Sequence, residues 1–151
     1  MSVEAVKWFF QERGKNVPIL KFDDTSTVAK AAESLGVTAG EIAKSLLFQV
    51  KEEYIMVVMA GDKRLNNHKF KDYFQAKAKM PDPSKVASIT GHPVGGVCPF
   101  GLKTPVPVYL DKSLQAYVRV FPAAGAPDAA VSLPVPELAE LTQGIWVDLA
   151  G

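Results

Sequence analysis

The segment Gly91–Leu102, with the sequence GHPVGGVCPFGL, constrains the fold of this chain more than any other stretch. Its four glycines and two prolines exclude a regular helix or a central strand, because proline lacks a backbone donor and glycine costs conformational entropy. It is still apolar enough to be partly buried, and a glycine-rich loop can turn several backbone N–H groups towards a ligand. The segment therefore predicts either a tight connection between a helix and a strand or a ligand-binding loop.

The length of 151 residues is that of one domain, residues 1–151, and the 48% hydrophobic and 22% charged content is ordinary for a globular protein. No apolar run approaches the ~20 residues of a membrane span. The N-terminal stretch is amphipathic and carries acids, which argues against a signal or transit peptide. One cysteine excludes an internal disulfide, and without an export signal we expect a cytoplasmic protein.

Charge is distributed unevenly along the chain. The net charge of +1 and pI near 7.8 are not those of a strong nucleic-acid binder, whose domains often exceed a pI of about 9. However, seven basic residues lie between Lys63 and Lys85 against only two acids, whereas no Lys or Arg follows Arg119. The basic region is interpreted either as solvated lysines on surface helices or as a modest phosphate-binding face.

Hydrophobic periodicity and capping signals predict an α/β domain with a mixed sheet of six or more strands. The predicted helices span residues 2–13, 27–35, 66–74, 81–90 and 136–141, with a short one after a capping box at residues 38–41. The predicted strands span residues 17–22, 45–50, 54–60, 77–80, 106–110, 117–121, 129–133 and 145–149.

Reactive side chains in the loop provide little support for covalent or metal catalysis. A nucleophilic Cys98 needs a base and an orienting partner, and His92 lies in the same loop, but Cys98 can equally be a small buried hydrophobe. Together with His68 these residues lack the ligand-pair spacing of a zinc site, so we expect no metal. The common nucleotide-binding and hydrolase motifs are absent from the sequence.

Polar residues near two predicted strands are better candidates. Lys44 precedes the strand at 45–50, where its ammonium either extends into water or projects into a cleft to bind an anion or polarise a carbonyl. Asp62, Lys63, Arg64 and Asn66 directly follow the strand at 54–60. For these four residues a solvated turn and a ligand-binding position are both open.

Five segments occur in order along the chain: TVAKAA from Thr27, LGV from Leu35, IAKSLL from Ile42, GDKRLN from Gly61 and TGHPVGGVCPFG from Thr90. Together they resemble the YbaK/prolyl-tRNA-synthetase-associated domain family, which includes the Cys-tRNA(Pro) and Ala-tRNA(Pro) deacylases. The resemblance spans residues 27 to about 141.

The resemblance implies an α/β fold in which a mixed, largely antiparallel sheet or partial barrel is flanked by helices. It also implies trans-editing, which is hydrolysis of the ester joining a wrong amino acid to the 3′ end of a tRNA, without a cofactor, metal or protein nucleophile. The substrate would be tRNA(Pro) carrying Cys, Ala or another small amino acid. The expected partners are the acceptor end of the aminoacyl-tRNA and prolyl-tRNA synthetase, with no membrane.

The resemblance also assigns site residues. The family's GxxxP loop falls on Gly95, Gly96, Val97, Cys98 and Pro99, whose backbone groups would hold the substrate carbonyl and aminoacyl group, and the family's lysine falls on Lys44. Cysteine-specific members are thought to let the substrate's own thiol attack the ester, and others activate a water. The remaining expected contacts to the substrate are Thr27, Asp62, Lys63, Arg64, Asn66, His92, Gly125 and Asp128.

One segment departs from the family pattern. Relatives commonly carry basic residues and a downstream acid after a glycine-rich stretch, whereas this chain has Ala126 and Pro127 for the basic pair and Ala130 at the acid position. Asp128 is a shifted candidate for that acid. The departure favours the alternative function, a non-catalytic module of the same fold that binds tRNA or a synthetase.

Overall fold

The computed structural model describes residues 2–151, in which five α-helices and eight strands are present. The helices are α1 (Ser2–Glu12), α2 (Val28–Leu35), α3 (Asn67–Phe74), α4 (Pro83–Thr90) and α5 (Val135–Thr142). The strands are β1 (Leu20–Lys21), β2 (Ile42–Val50), β3 (Glu53–Ala60), β4 (Val108–Asp111), β5 (Arg119–Pro122), β6 (Ala129–Ala130), β7 (Leu133–Pro134) and β8 (Ile145–Val147). Short 3₁₀ helices occupy Ala39–Glu41 and Lys112–Ala116.

The main sheet has six strands in the order β7-β5-β2-β3-β4-β8. Its longest pairing is the antiparallel hairpin of β2 and β3, while β2–β5, β3–β4 and β4–β8 are parallel and β5–β7 is antiparallel. A second sheet consists of β1 and β6. The predicted mixed sheet flanked by helices is confirmed.

Capping side chains set the starts of three helices. Thr27, Asn66 and Asp82 each accept a hydrogen bond from the backbone N–H three residues later, which satisfies a donor that the first helical turn leaves unpaired. Gly36 and Gly91 end α2 and α4 in the left-handed region. These local signals explain why the predicted bounds of these helices lie within a residue or two of the observed ones.

Several predicted strands are wrong in extent. The stretch 129–133 divides into β6 and β7, because its first residues pair with β1 and its last with β5. The stretch 77–80 forms only a bridge from Lys79 to Gln49, and β1 is two residues long. Strand β2 begins at Ile42, so Lys44 lies inside the strand and not before it.

Apolar side chains cover both faces of the main sheet. One cluster includes Val6 and Phe10 of α1, Leu138 of α5, and Cys98 and Phe100 of the glycine-rich loop. The rings of Phe10 and Phe100 lie 4.9 Å apart. The loop at 91–102 is therefore anchored in this cluster through its second half.

Candidate functional site

A cavity of about 320 Å³ lies beside strand β2, near the small end of the ligand-pocket range of roughly 300–1,000 Å³. Its walls come from Ile42–Leu47 of β2, from 25–28 at the start of α2, from Met80 to Val86 around the start of α4, and from the loop residues Val94, Gly95 and Val97. Most of these side chains are apolar. Of the described residues that line the cavity, Lys44 has the single ionisable side chain.

Gly95 borders the cavity through its backbone, which approaches α2 closely. Its φ is +90°, and a Cβ at this position would lie 3.1 Å from the Cβ of Ser26. The neighbouring Gly96 N–H donates to the Pro93 carbonyl at 2.9 Å. Within residues 2–151, the N–H groups of Gly95 and Val97 have no hydrogen-bond acceptor. Two unpaired backbone donors therefore belong to residues that line an apolar cavity.

The middle of the loop packs against a second turn of the chain. A Cβ on Gly96 would lie 2.4 Å from the Ala126 nitrogen, and the Gly125 N–H donates to the Gly96 carbonyl at 3.0 Å. The Gly125 carbonyl in turn accepts from the Ser2 hydroxyl. Gly125 thus supports the loop from behind and does not line the cavity.

His92 and Cys98 lie on the buried side of the loop, outside the residues that line the cavity. The Nε2 of His92 lies 2.7 Å from the Phe100 carbonyl and 3.6 Å from the Cys98 sulfur. Since a carbonyl only accepts, Nε2 carries the proton in this contact. Nδ1 of His92 is buried and has no partner among the described residues.

The electrostatic surroundings of this pair do not suit a nucleophile and its base. Burial raises the pKa of the Cys98 thiol to about 12, so the thiol stays protonated at neutral pH. Burial also lowers the pKa of His92, against the raising effect of its bond to the Phe100 carbonyl. The contact places a neutral imidazole beside a neutral thiol in the core. Cys98 is therefore a small buried apolar residue, which is one of the two alternatives that the sequence allows for it.

Lys44 lines the cavity, while its ammonium is held at the far end of strand β3. Nζ donates to the carbonyls of Gly61, at 3.4 Å, and of Lys63. Burial lowers the pKa of Lys44, the charge of Asp62 opposes that shift, and the charge of Arg64 adds to it. A half-buried cation with a lowered pKa is thus positioned at the rim of the cavity.

The segment after β3 borders a different cavity, of about 570 Å³, which Asp62, Lys63 and Arg64 line. Asn66 lines neither cavity, because its side chain caps α3 through the N–H of Lys69 at 3.0 Å. Lys44 connects the two regions through its bond to Lys63.

The other expected contact residues are divided between the cavity and the protein surface. Thr27 lines the cavity and caps α2, accepting from the Lys30 N–H at 3.2 Å. Asp128 lies outside the cavity and forms a long ion pair of 3.9 Å with Lys21. Pro99, within the loop, is buried and does not line the cavity. The structure therefore brings Thr27, Lys44, Gly95 and Val97 together at the cavity.

Sequence reasoning missed Ser45, whose hydroxyl is buried without a hydrogen-bond partner among residues 2–151. Ser45 lines the cavity beside Lys44. A signal existed, since Ser45 is the lone hydroxyl residue in the run Ile42–Phe48, but a serine near a strand end is common.

The described residues contain no group of three or more His, Cys, Asp and Glu side chains arranged to hold a metal ion. Across residues 2–151, no helix combines the length and apolar character needed to cross a membrane.

A model of the aminoacyl-tRNA editing domain matches residues 23–141. The chain belongs to the aminoacyl-tRNA editing domain family. The matched range contains β2, the cavity and the whole glycine-rich loop, so the family resemblance predicted from the sequence is confirmed.

Relatives of this editing domain occur both as separate proteins and inside synthetases. The uncharacterized protein YwhH of Bacillus subtilis is 40% identical over 99% of this chain and 97% of its own length. The proline–tRNA ligase of Thermosipho melanesiensis is 31% identical over 77% of this chain, which spans only 20% of that ligase.

Solved structures share the whole editing-domain fold. A protein described as a candidate trans-editing enzyme for prolyl-tRNA synthetase superposes with a TM-score of 0.92 and 31% identity, covering 99% of this chain and 97% of the other. The hypothetical protein APE2540 superposes with a TM-score of 0.89 and 31% identity, covering 97% and 99% of the two chains.

Proposed function

We propose that this protein is a trans-acting aminoacyl-tRNA deacylase that hydrolyses the ester between a small amino acid and the 3′ end of a tRNA. The proposed tRNA is tRNA(Pro), charged with Cys, Ala or another small amino acid. Support comes from the family, from the synthetase relatives and from the solved protein described as a candidate trans-editing enzyme. Prolyl-tRNA synthetase is the proposed protein partner.

The observation that carries the proposal is the pair of unpaired N–H groups at Gly95 and Val97, beside an apolar cavity. Ester hydrolysis passes through a tetrahedral intermediate whose oxyanion needs fixed donors, and such donors are strongest where water is excluded. Gly95 is suited to this role because no side chain separates its backbone from a ligand. We assign to these two groups the stabilisation of the developing oxyanion.

The reaction then needs a water and a proton path. The water oxygen bonds to the ester carbon, the bond to the ribose oxygen breaks, and the proton lost by the water is taken up by the ribose leaving group. Cys98 is excluded as the nucleophile in this proposal because its thiol is buried outside the cavity with a pKa raised to about 12. Lys44 supplies a fixed positive charge at the rim, next to the ester or the terminal phosphate.

A second candidate function is a non-catalytic module that binds tRNA or a synthetase. The observation that favours it is the position of Asp128. This residue pairs with Lys21 and does not line the cavity, so it does not replace the family's acid, whose position is occupied by Ala130. Binding of uncharged and charged tRNA with equal affinity, without any deacylation, would establish this module.

The deciding experiment is a deacylation panel at single turnover. Purified protein is mixed with tRNA(Pro) charged with Cys, Ala, Ser or Pro, and loss of the aminoacyl group is compared with the rate in buffer. We expect faster loss for at least one small non-cognate amino acid and no acceleration for Pro. Rates equal to buffer for all four substrates would refute the deacylase and leave the binding module.

A further inference from the structure

Strand β2 lines the cavity with residues 42–47, and beyond Ala43 this part of the strand pairs with β3 on one edge and with no segment on the other. In an antiparallel pair the residues alternate, one directing its N–H and C=O to the partner and the next directing them away. Three bonds establish the phase of this alternation: the N–H of Gln49 reaches the Lys79 carbonyl at 2.7 Å, that of Met56 the Pro107 carbonyl at 2.9 Å, and that of Ala60 the Ser113 hydroxyl at 3.1 Å. Ala43, Ser45, Leu47 and Gln49 therefore direct their backbone groups away from β3.

Neighbouring segments pair with only the two ends of this edge. Strand β5 pairs with β2 at Ile42 and Ala43, and Lys79 pairs at Gln49. Between these points the N–H and C=O groups of Ser45 and Leu47 have no partner among residues 2–151. Buried or half-buried backbone groups are nearly always paired, so an unpaired gap of this kind needs an explanation.

The gap coincides with the wall of the cavity. Ser45 and Leu47 both line it, with Gly95 and Val97 among the other lining residues. The Ser45 hydroxyl is also buried and unpaired. The wall thus presents two carbonyl oxygens and one hydroxyl oxygen as acceptors, together with the N–H groups of the same two residues, in largely apolar surroundings.

These acceptors match a protonated amine. An α-ammonium group donates three hydrogen bonds, and bonds that involve a charged group are shorter and about twice as strong as neutral ones. Lys44 does not occupy these acceptors, because its Nζ donates to the carbonyls of Gly61 and Lys63 instead. Within the described part of the chain, no carboxylate lines the cavity to compete for the amine.

We propose that the open edge of β2 at Ser45 and Leu47 binds the free α-amino group of the aminoacyl ester through backbone carbonyls. This inference rests on the proposed function and deepens it, because it makes the site selective for α-amino acyl groups over acyl groups without a free amine. The ester carbonyl would then lie between this edge and the donors of Gly95 and Val97.

The experiment uses 3′-amino-3′-deoxyadenosine carrying an L-alanyl, a propionyl or an N-acetyl-L-alanyl group in amide linkage, which is not an ester and persists through a titration. Binding to the full chain is followed by ¹⁵N NMR. We expect the alanyl compound to bind at least about tenfold more tightly than the other two, with the Ser45 and Leu47 amides shifting. Affinities of the alanyl and propionyl compounds within about twofold, no binding of the alanyl compound, or unshifted Ser45 and Leu47 amides would each overturn the inference.

A Ser45→Ala variant separates the carbonyls from the hydroxyl. It keeps the backbone acceptors, so the preference for the alanyl over the propionyl compound should persist at about tenfold. Loss of that preference would mean that the Ser45 hydroxyl, and not the backbone carbonyls, binds the amine, which would overturn the role of the strand edge.

Deacylation of alanyl-tRNA is measured on the same preparations. A tenfold binding preference without deacylation would refute the deacylase and support the amine site at the strand edge. Deacylation with equal affinities for the alanyl and propionyl compounds would support the deacylase and refute the amine site.

Discussion

The two sides of the glycine-rich loop differ in chemistry and in position. The buried side carries the residues with reactive side chains, His92 and Cys98, which contact each other at 3.6 Å and pack beside Phe100. The side at the cavity carries Gly95 and Val97, which have no reactive side chain but have unpaired backbone donors. His92 and Cys98 thus lie in the core, whereas Gly95 and Val97 lie at the cavity.

Under the proposed function, the loop would act through the position of its backbone and not through its reactive side chains. A catalytic thiol needs access and a lowered pKa, whereas the pKa of Cys98 is raised by full burial. An oxyanion needs donors at fixed positions, and any residue except proline supplies a backbone N–H. Four substitutions, three in the loop and one at the rim of the cavity, test this contrast.

The largest effect is expected for Gly96→Ala, which disturbs the junction of the two sides. The new Cβ would lie 2.4 Å from the nitrogen and 2.7 Å from the Cα of Ala126, so one backbone segment must move. We expect deacylation to fall by at least about a hundredfold, as when an oxyanion donor is lost, and unfolding free energy to fall by roughly 1–3 kcal/mol. Single-turnover rates and a thermal melt measure both effects.

The matched control is Gly14→Ala. Gly14 has a φ of +66° with nothing within 4 Å, so its substitution costs backbone strain without a clash near the site. This variant should lose stability and keep its rate. An unchanged rate in Gly96→Ala would show that the loop backbone does not act in the reaction.

The next largest effect is expected for Lys44→Ala, which removes the one ionisable side chain among the described residues that line the cavity. Loss of one such group typically costs about 2.7–4 kcal/mol of transition-state stabilisation, or roughly 10²–10³ in rate. The lost bonds to the Gly61 and Lys63 carbonyls should lower stability by only about 1 kcal/mol. Lys7→Ala, on α1, is the control and should keep the wild-type rate. A normal rate in Lys44→Ala would remove the lysine from the mechanism.

A smaller effect is expected for Cys98→Ser, which tests the buried side directly. The deacylation rate should stay within about threefold of wild type, since the thiol is not the nucleophile, while stability falls by roughly 1–2 kcal/mol from the loss of packing. In the native protein at pH 8, alkylation of Cys98 should be far slower than in urea. A rate loss of about a hundredfold with a preserved melt would restore Cys98 as a nucleophile.

The smallest effect is expected for His92→Gln. It is measured as a change in the slope of melting temperature against pH. Burial lowers the folded pKa of His92 below its ordinary 6.5, so the unfolded state binds more protons in that window. Wild-type stability is therefore full above pH 6.5 and is lost as the pH falls, and the variant should show a shallower loss between pH 6.5 and 5. Equal slopes in the wild type and the variant would mean that His92 is not held neutral by burial.

The basic region shows a limit of sequence patterns. Lys69 bonds Asp148 at 2.9 Å and the Ala150 carbonyl at 2.7 Å, and Lys112 lies 3.1 Å from Asp148. An acid of the C-terminal stretch therefore neutralises part of the basic region. Sequence distance hid this pairing, because the two stretches lie about eighty residues apart in the chain. The phosphate-binding interpretation of Lys63–Lys85 stays a prediction.

The sequence by itself determined what depends on near neighbours. Caps at Thr27, Asn66 and Asp82, the β2–β3 hairpin and the irregular loop at 91–102 all follow from residues within a few positions of each other. The family also follows from the sequence, because its motifs are short runs in a set order.

Only the tertiary structure decided which side of the loop faces the cavity and which edge of β2 stays open. His92 and Gly95 lie three positions apart, yet α1 packing on Phe100 buries the first side and the close approach of Ser26 places the second at the cavity. The open edge at Ser45 and Leu47 exists because β5 and Lys79 stop pairing on either side of it. Strand pairing joins residues far apart in sequence, so no local pattern around Ser45 encodes a missing partner.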